Sequence, residues 1–257
     1  MSEAARLHAI ERGGGEKPPL VFLHGFDGQA EAFRDIVQVF AEEGRRCLAF
    51  DLPGHGRSRE FPGFGPPKVA ARAVLAELAA RKIAKAHFVG HSMGGAVACL
   101  SALFEPARAL SLTLLAPGGF GPEIDAEKIR AMMDATSEAN LIAALRAMVA
   151  EGFTVSPDMA RHCSDRAGRA EIRTVFDLLF STGEQGVLPL EAVAATGVAI
   201  EVLWGEADTV TPVSQSKQLP PQFYVRRLQD AGHMLTLEAP SESVAAIRRA
   251  IARGEGA

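Results

Sequence analysis

The chain has 257 residues, of which 47% are hydrophobic and 23% are charged, and its formal net charge is -4. These values are typical of one globular α/β core with an added subdomain, and they exclude an intrinsically disordered chain. The slightly acidic balance, with no dense run of lysine or arginine, argues against nucleic acid and anionic membranes as partners.

The cysteines and the N-terminal residues bear on the cellular compartment. Cys47, Cys99 and Cys163 are widely spaced and form no C-x-x-C pair, so neither a disulfide framework nor a zinc site is predicted. Residues 1–12 include two acidic residues and lack the apolar segment of a signal peptide, and the sequence has no run of about 18 apolar residues. We therefore expect a cytoplasmic protein.

Short apolar runs alternate with longer helical patterns, which is typical of parallel strands joined by right-handed helical crossovers. We predict an α/β fold with a mostly parallel, doubly wound sheet and an edge strand near residues 7–11. Alanine and alternating charges favour helices between the strands. The other predicted strands are Leu20–Leu23, Cys47–Phe50, Ala86–Val89, Ser111–Leu115, Val198–Trp204 and Phe223–Leu228. The predicted helices are Ala30–Glu43, Val69–Arg81, Met93–Phe104 and Ser241–Arg253.

The alternation stops between residues 117 and 190, where no convincing strand pattern occurs. We predict that residues 117–190 form a helical cap inserted into a core made of residues 1–116 and 191–257. The helices of this cap are predicted at Asp125–Ala135, Leu141–Glu151, Pro157–Arg166 and Glu171–Phe180.

A G-x-S-x-G sequence, residues 90–94, lies directly between a predicted strand and a predicted helix. So sharp a turn forces its central residue into a strained conformation and requires glycine on either side. It places the serine hydroxyl at a helix N-terminus, where backbone N–H groups favour developing negative charge. An ordinary glycine-rich turn explains the motif but not its flanking strand and helix, so we predict that Ser92 is a nucleophile.

A second glycine-bearing loop, residues 24–27, follows the strand Leu20–Leu23. Loops at the carboxyl ends of strands form the binding crevice in open α/β sheets. We therefore expect the backbone N–H groups of Phe26 and Met93 to form an oxyanion hole. For the side chain of His24 we predict a structural, hydrogen-bonded role.

A serine hydroxyl needs a base at neutral pH, and histidine has a suitable pKa. Of the seven histidines, His233 lies in a loop just beyond the last predicted strand, and we predict it as the base. The order serine, acid, histidine then requires a carboxylate between Ser92 and His233 at a strand end. Asp208 fits that position best, with Glu206 and Asp230 as alternatives.

Together these residues resemble the α/β-hydrolase superfamily along nearly the whole chain. The resemblance rests on the His24-Gly25 loop, a turn-rich run at residues 51–58, the elbow at Ser92, and Asp208 and His233 in that order. It implies an α/β-hydrolase fold, and a serine nucleophile disfavours the chemistry of haloalkane dehalogenases and epoxide hydrolases, which use aspartate. His91 and Met93 look like the elbow residues of many carboxylesterases rather than the asparagine-containing elbow of meta-cleavage-product hydrolases.

A closer similarity lies in residues 54–58, 91–98 and 116–124, which look like the hydrolase-like part of acetoin dehydrogenase E2, or dihydrolipoamide acetyltransferase-like, proteins. Those proteins carry a lipoyl domain ahead of this part, whereas here residues 1–19 precede the first core strand. We therefore expect a freestanding hydrolase.

The substrate pocket is predicted to lie between core and cap. The candidate substrate contacts are Gly25, His91, Phe120, Met132, Phe176, Phe180 and Met234. The apolar side chains of the cap have a second interpretation as the cap's own core, which is the commoner role at helical spacing. Similarly, Arg130, Arg146 and Arg173 either bind a substrate carboxylate or are solvated surface charges.

The sequence thus predicts a serine hydrolase that cleaves a carboxylic ester of a small substrate through an acyl-enzyme, without a metal or organic cofactor. Because the acyl-enzyme is common to both reactions, an acyltransferase or thioesterase acting on a thiol-linked acyl group is an alternative. A catalytically weak ligand-binding protein is another, and a lactonase is a minor one. The expected partner is a small ester, and both a monomer and a homodimer are compatible with the sequence.

Overall fold

The computed structural model describes residues 5–164 and 169–256. Its seven-stranded sheet has the order β1-β3-β2-β4-β5-β6-β7, in which β1 pairs antiparallel with β3 and the other pairs are parallel. The strands are β1 (Ala9–Arg12), β2 (Leu20–Leu23), β3 (Cys47–Phe50), β4 (Ala86–His91), β5 (Ala109–Leu115), β6 (Ala199–Gly205) and β7 (Phe223–Leu228). The predicted mostly parallel sheet with an N-terminal edge strand is confirmed.

Helices connect these strands and cover both faces of the sheet. They are α1 (Arg34–Glu42), α2 (Pro67–Ala80), α3 (Met93–Phe104), α4 (Ala126–Asp134), α5 (Glu138–Arg146), α6 (Pro157–Cys163), α7 (Arg169–Phe180), α8 (Leu190–Ala194), α9 (Leu235–Glu238) and α10 (Pro240–Gly254). In the described ranges, no helix is long and apolar enough to cross a membrane.

Several predicted helix boundaries need correction. A 3-10 turn, Ala30–Phe33, precedes α1 and interrupts the helix predicted from Ala30. Helix α5 begins earlier than predicted because the side chain of Ser137 accepts a hydrogen bond from the N–H of Asn140 and caps its N-terminus. Helix α6 ends at Cys163, whereas Arg166, the predicted end, lies outside the described residues.

Alternating side chains of the strands divide the core into two layers. Along β2, Val21 and Leu23 face a layer with α2 and α3, whereas Leu20 and Phe22 face a layer with α1 and α10. All four residues are fully buried, as expected for a parallel strand covered on both sides.

Residues 116–198, between β5 and β6, are called the insertion below. Its described part contains α4 to α8 and no strand apart from an isolated bridge between Glu123 and Glu184. Buried insertion residues such as Met133 and Phe176 belong to the same hydrophobic cluster as α2, α3 and one face of the sheet. These side chains therefore pack on the sheet layer, and the proposed division at residues 117 and 190 stays a prediction.

The parallel register brings several loops to one edge of the sheet. Leu23 of β2 lies opposite Gly90 of β4, and Leu115 of β5 lies opposite His91 of β4 and Leu203 of β6. The segments that follow β2, β4, β5 and β6 therefore leave the sheet side by side, at the edge where α/β sheets bind ligands.

Candidate active site

Ser92 lies in the tight turn that joins β4 to α3. Its φ of 52° and ψ of -120° are values that residues other than glycine rarely adopt. The N–H of Ser92 donates to the carbonyl of Leu115 at 3.0 Å, and its carbonyl accepts from Gly95 at 2.8 Å and from Gly118 at 2.9 Å. These backbone hydrogen bonds hold a conformation that costs on the order of 1–3 kcal/mol.

The glycines on either side of Ser92 allow the backbones in this turn to approach closely. A Cβ at position 94 would lie 2.0 Å from the carbonyl oxygen of Leu23, and one at position 90 would lie 2.2 Å from the carbonyl oxygen of Gly94. Both distances are far below a van der Waals contact. Glycine is therefore required at positions 90 and 94, as the sequence predicts, because any side chain there would collide with a neighbouring backbone.

His233 and Asp208 form a buried pair after β7 and β6. Nδ1 of His233 lies 2.9 Å from Oδ2 of Asp208, and because an ionised carboxylate only accepts, Nδ1–H donates. Oδ1 of Asp208 accepts the N–H groups of Val210 at 2.8 Å and Thr211 at 2.9 Å, and Oγ1 of Thr211 donates to Oδ2 at 2.9 Å. The carboxylate is thus surrounded by donors.

These donors determine the ionisation of Asp208. Burial alone would raise the pKa of its carboxyl, but the charge and hydrogen bond of His233 and the N–H groups of Val210 and Thr211 outweigh it. The pKa of Asp208 therefore lies below its ordinary value, and the group is ionised at neutral pH.

The alternative acids, Glu206 and Asp230, differ from Asp208 in exposure and in contact with His233. Glu206 and Asp230 have exposed side chains, whereas Asp208 is only 7% exposed. Within the described part of the chain, Asp208 is the carboxylate that His233 contacts. The geometry thus favours Asp208 over both alternatives.

His91 is a second buried histidine beside His233. Its Nε2–H donates to the carbonyl of His233 at 2.9 Å, and the two ring centroids are 5.0 Å apart. Burial, together with the charge of His233, lowers the pKa of His91 to about 3. His91 is therefore neutral at physiological pH and fixes the backbone of His233 through a hydrogen bond.

Ser92 and His233 line one cavity of about 460 Å³. Among the candidate substrate contacts, the residues that line it are Gly25, His91, Met132, Phe180 and Met234. Phe26 and Met93 also line this cavity, and their N–H groups donate no hydrogen bond within the described part of the chain.

Two of the candidate contacts need correction, because Phe120 and Phe176 do not line the cavity. Phe120 packs edge-on against Trp204 and Phe223, with centroids 5.8 and 5.7 Å away. Phe176 is fully buried and packs edge-on against Phe26 at 5.9 Å. Both side chains are packing residues of the apolar core.

The three arginines considered as carboxylate ligands also do not line the cavity. Arg130 stacks on the ring of Phe176 at 4.6 Å, and Arg173 pairs with Asp134 at 3.0 Å. Arg146 is exposed at the end of α5. Their interpretation as surface or paired charges is therefore the better one.

The structure adds residues that the sequence did not single out. Lys68, at the start of α2, lines the cavity, as does Cys163 at the end of α6. Burial raises the pKa of the Cys163 thiol to about 12, so its reactive thiolate is not formed at neutral pH. Ser92 and Asp208 were identified because each follows the end of a predicted strand. Lys68 and Cys163 lie at helix ends, so this signal could not identify them.

The prediction of a structural role for His24 is confirmed. Its Nδ1–H donates to the carbonyl of Gly25 at 2.7 Å, and its Nε2 accepts from the N–H of Leu52 at 3.0 Å. Burial lowers the pKa of His24, so the ring is neutral and holds the loop after β2 against the segment that follows β3.

Comparisons with known proteins agree with this fold. The model of the alpha/beta hydrolase family matches residues 20–247. The chain is 30% identical over 258 residues to the dihydrolipoyllysine-residue acetyltransferase component of the acetoin cleaving system of Cupriavidus necator. That match covers 96% of this chain and 67% of the relative, so the chain spans about two thirds of the relative's length.

Two solved structures illustrate the structural similarity. A serine hydrolase involved in carbazole degradation is 20% identical with a TM-score of 0.79, and the match covers 96% of this chain and 95% of that one. At this identity it supports the fold alone. An N-acyl homoserine lactone degrading enzyme is 25% identical with a TM-score of 0.72, and that match covers 95% of this chain and 96% of the other.

The buried pair predicts a pH dependence of stability. Because the pKa of Asp208 is lowered by folding, ionised Asp208 stabilises the fold above its unfolded-state pKa of about 3.9. This contribution is lost as the pH falls through the lower folded-state pKa. We expect Asp208→Asn to lower the free energy of unfolding by about 2 kcal/mol at pH 7, and the difference from the wild type to shrink below about pH 4.

Urea titrations at a series of pH values between 7 and 3 measure this difference. Asp230→Asn is the matched control, because the side chain of Asp230 is exposed in the same region of the chain. A constant difference between wild type and Asp208→Asn at all pH values would show that the ionised carboxylate is not the stabilising form.

Proposed function

The chain belongs to the alpha/beta hydrolase family, and we propose that it is a serine hydrolase that cleaves a carboxylic ester of a small substrate through an acyl-enzyme. The observation that carries this proposal is the 2.9 Å contact between His233 and Asp208, beside a cavity that His233 lines together with Ser92. A histidine paired in this way is the base that a serine nucleophile needs.

In the proposed cycle, Nε2 of His233 removes the proton of the Ser92 hydroxyl while Oγ forms a bond to the ester carbonyl carbon. The N–H groups of Phe26 and Met93 donate to the resulting oxyanion, and each such donor is typically worth about 3 kcal/mol. His233 then gives its proton to the leaving alcohol. Water, deprotonated by the same histidine, then attacks the acyl carbon. The bond from this carbon to Oγ breaks, the acid leaves, and His233 returns the proton to Oγ of Ser92.

Asp208 has the supporting role in this cycle. With Nδ1–H donated to the carboxylate, the neutral ring of His233 carries its lone pair on Nε2, which is the atom that must accept the proton. The negative charge of Asp208 also stabilises the imidazolium that forms. The N–H donors of Val210 and Thr211 keep this carboxylate ionised.

The cavity favours a substrate with an apolar acyl or alkyl group. Its volume of about 460 Å³ lies within the usual range for small-molecule sites, and its lining includes Leu100, Ile129, Met132 and Leu188. We propose that the helical part of the insertion acts as the cap of this site. A cytoplasmic location is also proposed, supported by three free, buried cysteines.

Acyl transfer to a thiol is a second candidate function. It is favoured by the similarity to a relative named as a dihydrolipoyllysine-residue acetyltransferase component. Both reactions form the same acyl-enzyme on Ser92 and differ only in the acceptor that attacks it. A lactone is a cyclic ester and fits the same cycle, and the 25% identity to a lactone degrading enzyme supports its inclusion among test substrates.

We expect Ser92→Ala to lower kcat for 4-nitrophenyl acetate at least about 1000-fold, because the nucleophile is lost, while leaving the circular dichroism spectrum unchanged. The matched control is Ser101→Ala, a serine within α3 whose hydroxyl donates to the carbonyl of Val97. Labelling with a fluorophosphonate probe should disappear only in the Ser92 variant. Retained turnover would contradict the proposal, and an unlabelled wild type would favour a ligand-binding role.

Product analysis in the presence of a thiol separates hydrolysis from acyl transfer. With an ester substrate and millimolar dihydrolipoamide, we expect the free acid to be the main product, because water is the proposed acceptor. The ratio of acid to thioester is measured by chromatography, with Ser92→Ala as the uncatalysed control. A thioester that exceeds the acid would establish transfer as the preferred reaction.

A further inference from the structure

We propose that Glu238 is a positioning residue for His233, whose carboxylate holds the loop of the proposed base against the insertion. Glu238 ends α9, five residues after His233, and it was not among the residues that the sequence singled out. The inference rests on the proposed function of His233.

The carboxylate of Glu238 accepts three backbone hydrogen bonds. Oε1 accepts from the N–H of Met234 at 2.8 Å, and Oε2 accepts from the N–H of Gly232 at 2.7 Å. Oε2 also accepts from the N–H of Ala150 in the insertion at 2.7 Å. The residues on both sides of His233 are therefore tied to the insertion through one side chain.

The insertion and the His233 loop also contact each other directly. The N–H of His233 donates to the carbonyl of Met148 at 2.8 Å. The backbones are so close that a Cβ at position 232 would lie 2.7 Å from the carbonyl oxygen of Met148, so glycine is needed there. Glu238 joins the same two segments and fixes their spacing.

A carboxylate is required at this position because all three partners are donors. Glutamine has the same shape, but its NH₂ group would face at least one backbone N–H and leave it without an acceptor. Hydrogen bonds to a charged acceptor are roughly twice as strong as neutral ones. Glu238→Gln therefore loosens the loop while keeping a side chain of the same size at this position.

The position of this loop decides where Nε2 of His233 lies. Asp208 holds Nδ1 of the ring, and the hydrogen bonds of Gly232 and Met234 to Glu238 hold the main chain from which the ring extends. A misplacement of about 1 Å at a catalytic group can cost on the order of 100-fold in rate. Loosening the loop should therefore slow the proton transfer more than it weakens substrate binding.

We expect Glu238→Gln to lower kcat for 4-nitrophenyl acetate by about 10- to 100-fold and to change KM by less than about threefold. The rate is divided by the concentration of sites that react with a fluorophosphonate, so unfolded protein does not count. Glu242→Gln is the matched control, because Glu242 is exposed and its carboxylate lies 4.0 Å from the nearest arginine. It should change kcat by less than twofold.

A spectroscopic measurement tests the same inference without turnover. The proton on Nδ1 of His233, shared with Asp208, should give a downfield ¹H resonance that shifts or broadens in Glu238→Gln and not in Glu242→Gln. If Glu238→Gln does not fold, Glu238→Asp replaces it, since the shorter side chain keeps the charge and cannot reach all three donors.

A folded Glu238 variant with a kcat within twofold of the wild type and an unchanged resonance overturns the inference. A variant with a lower Tm but normal kcat per reactive site also overturns it, since that result shows a purely structural role. If the wild type hydrolyses no ester, the proposed function has failed, and the resonance still decides the role of Glu238.

A separate observation concerns the charge of the cavity. Among the described residues that line it, Lys68 is the only lysine, and no arginine, aspartate or glutamate lines it. The side chain of Lys68 is exposed and forms no ion pair within the described part of the chain. Nearby, Leu178 and Val187 also line the cavity and are each 57% exposed, which gives its mouth an apolar surface.

We infer that Lys68 selects ester substrates that carry an anionic group, such as a carboxylate, in addition to the ester. This inference deepens the proposed function and depends on it. An apolar cavity with one unpaired cation is complementary to a substrate with an apolar middle and an anionic end. The exposure of Lys68 limits the effect, because solvent screens the pair.

The test compares 4-nitrophenyl monoesters of dicarboxylic acids of increasing length with 4-nitrophenyl esters of the neutral acids of equal length. We expect Lys68→Met to lower kcat/KM about fivefold for at least one anionic ester, and Lys68→Glu to lower it further. Neutral esters should change less than twofold, and the difference should vanish in 1 M salt.

Lys85→Met is the matched control, because Lys85 is exposed just before β4, at the end of the strand opposite to Ser92. Equal ratios of anionic to neutral turnover in wild type and Lys68→Met at every chain length overturn the inference. Failure to hydrolyse either class of ester would instead count against the proposed function.

Discussion

Backbone hydrogen bonds at the turn after β4 fix the residue around which the whole candidate site is arranged. Ser92 is held in a left-handed conformation by partners on β5, in the insertion and at the start of α3. The neighbouring glycines let the turn lie directly against the carbonyl of Leu23. Since these contacts are between main-chain atoms of adjacent elements, they fix the backbone of Ser92 without depending on side-chain packing.

The electrostatics of the site follow from burial and from where donors are placed. Burial keeps His24 and His91 neutral, and both act as hydrogen-bonding supports: His24 for the loop after β2 and His91 for the backbone of His233. Asp208 is equally enclosed, yet it is ionised because four donors surround its two oxygens. Two buried histidines are therefore uncharged beside one charged carboxylate, and the difference lies in the neighbouring charge of His233 and in the hydrogen bonds that Asp208 receives.

Much of the fold and the pairing of His233 with Asp208 could be predicted, because they depend on short-range patterns. Apolar runs bounded by glycine mark strand ends, and parallel strands bring those ends to one edge. The contacts of the insertion could not be predicted in this way. Phe120 and Phe176 are apolar residues of the kind expected in a pocket, yet they pack into the core. The contact of Glu238 with Ala150 and the place of Lys68 at the cavity arise from how the insertion and α2 pack in the fold.

The hydrogen bond from His233 to the carbonyl of Met148 has a consequence for how this architecture can diverge. An insertion between two strands can be exchanged as a unit when substrate range changes. Here, however, the carbonyl of Met148 in the insertion accepts a hydrogen bond from the N–H of His233, the proposed base. A graft from a relative would have to keep a carbonyl at this place and a chain path that passes within contact of Gly232. Insertions and deletions are therefore expected to spare residues 148–150, where the main-chain path is fixed, and to concentrate in the exposed parts of the insertion.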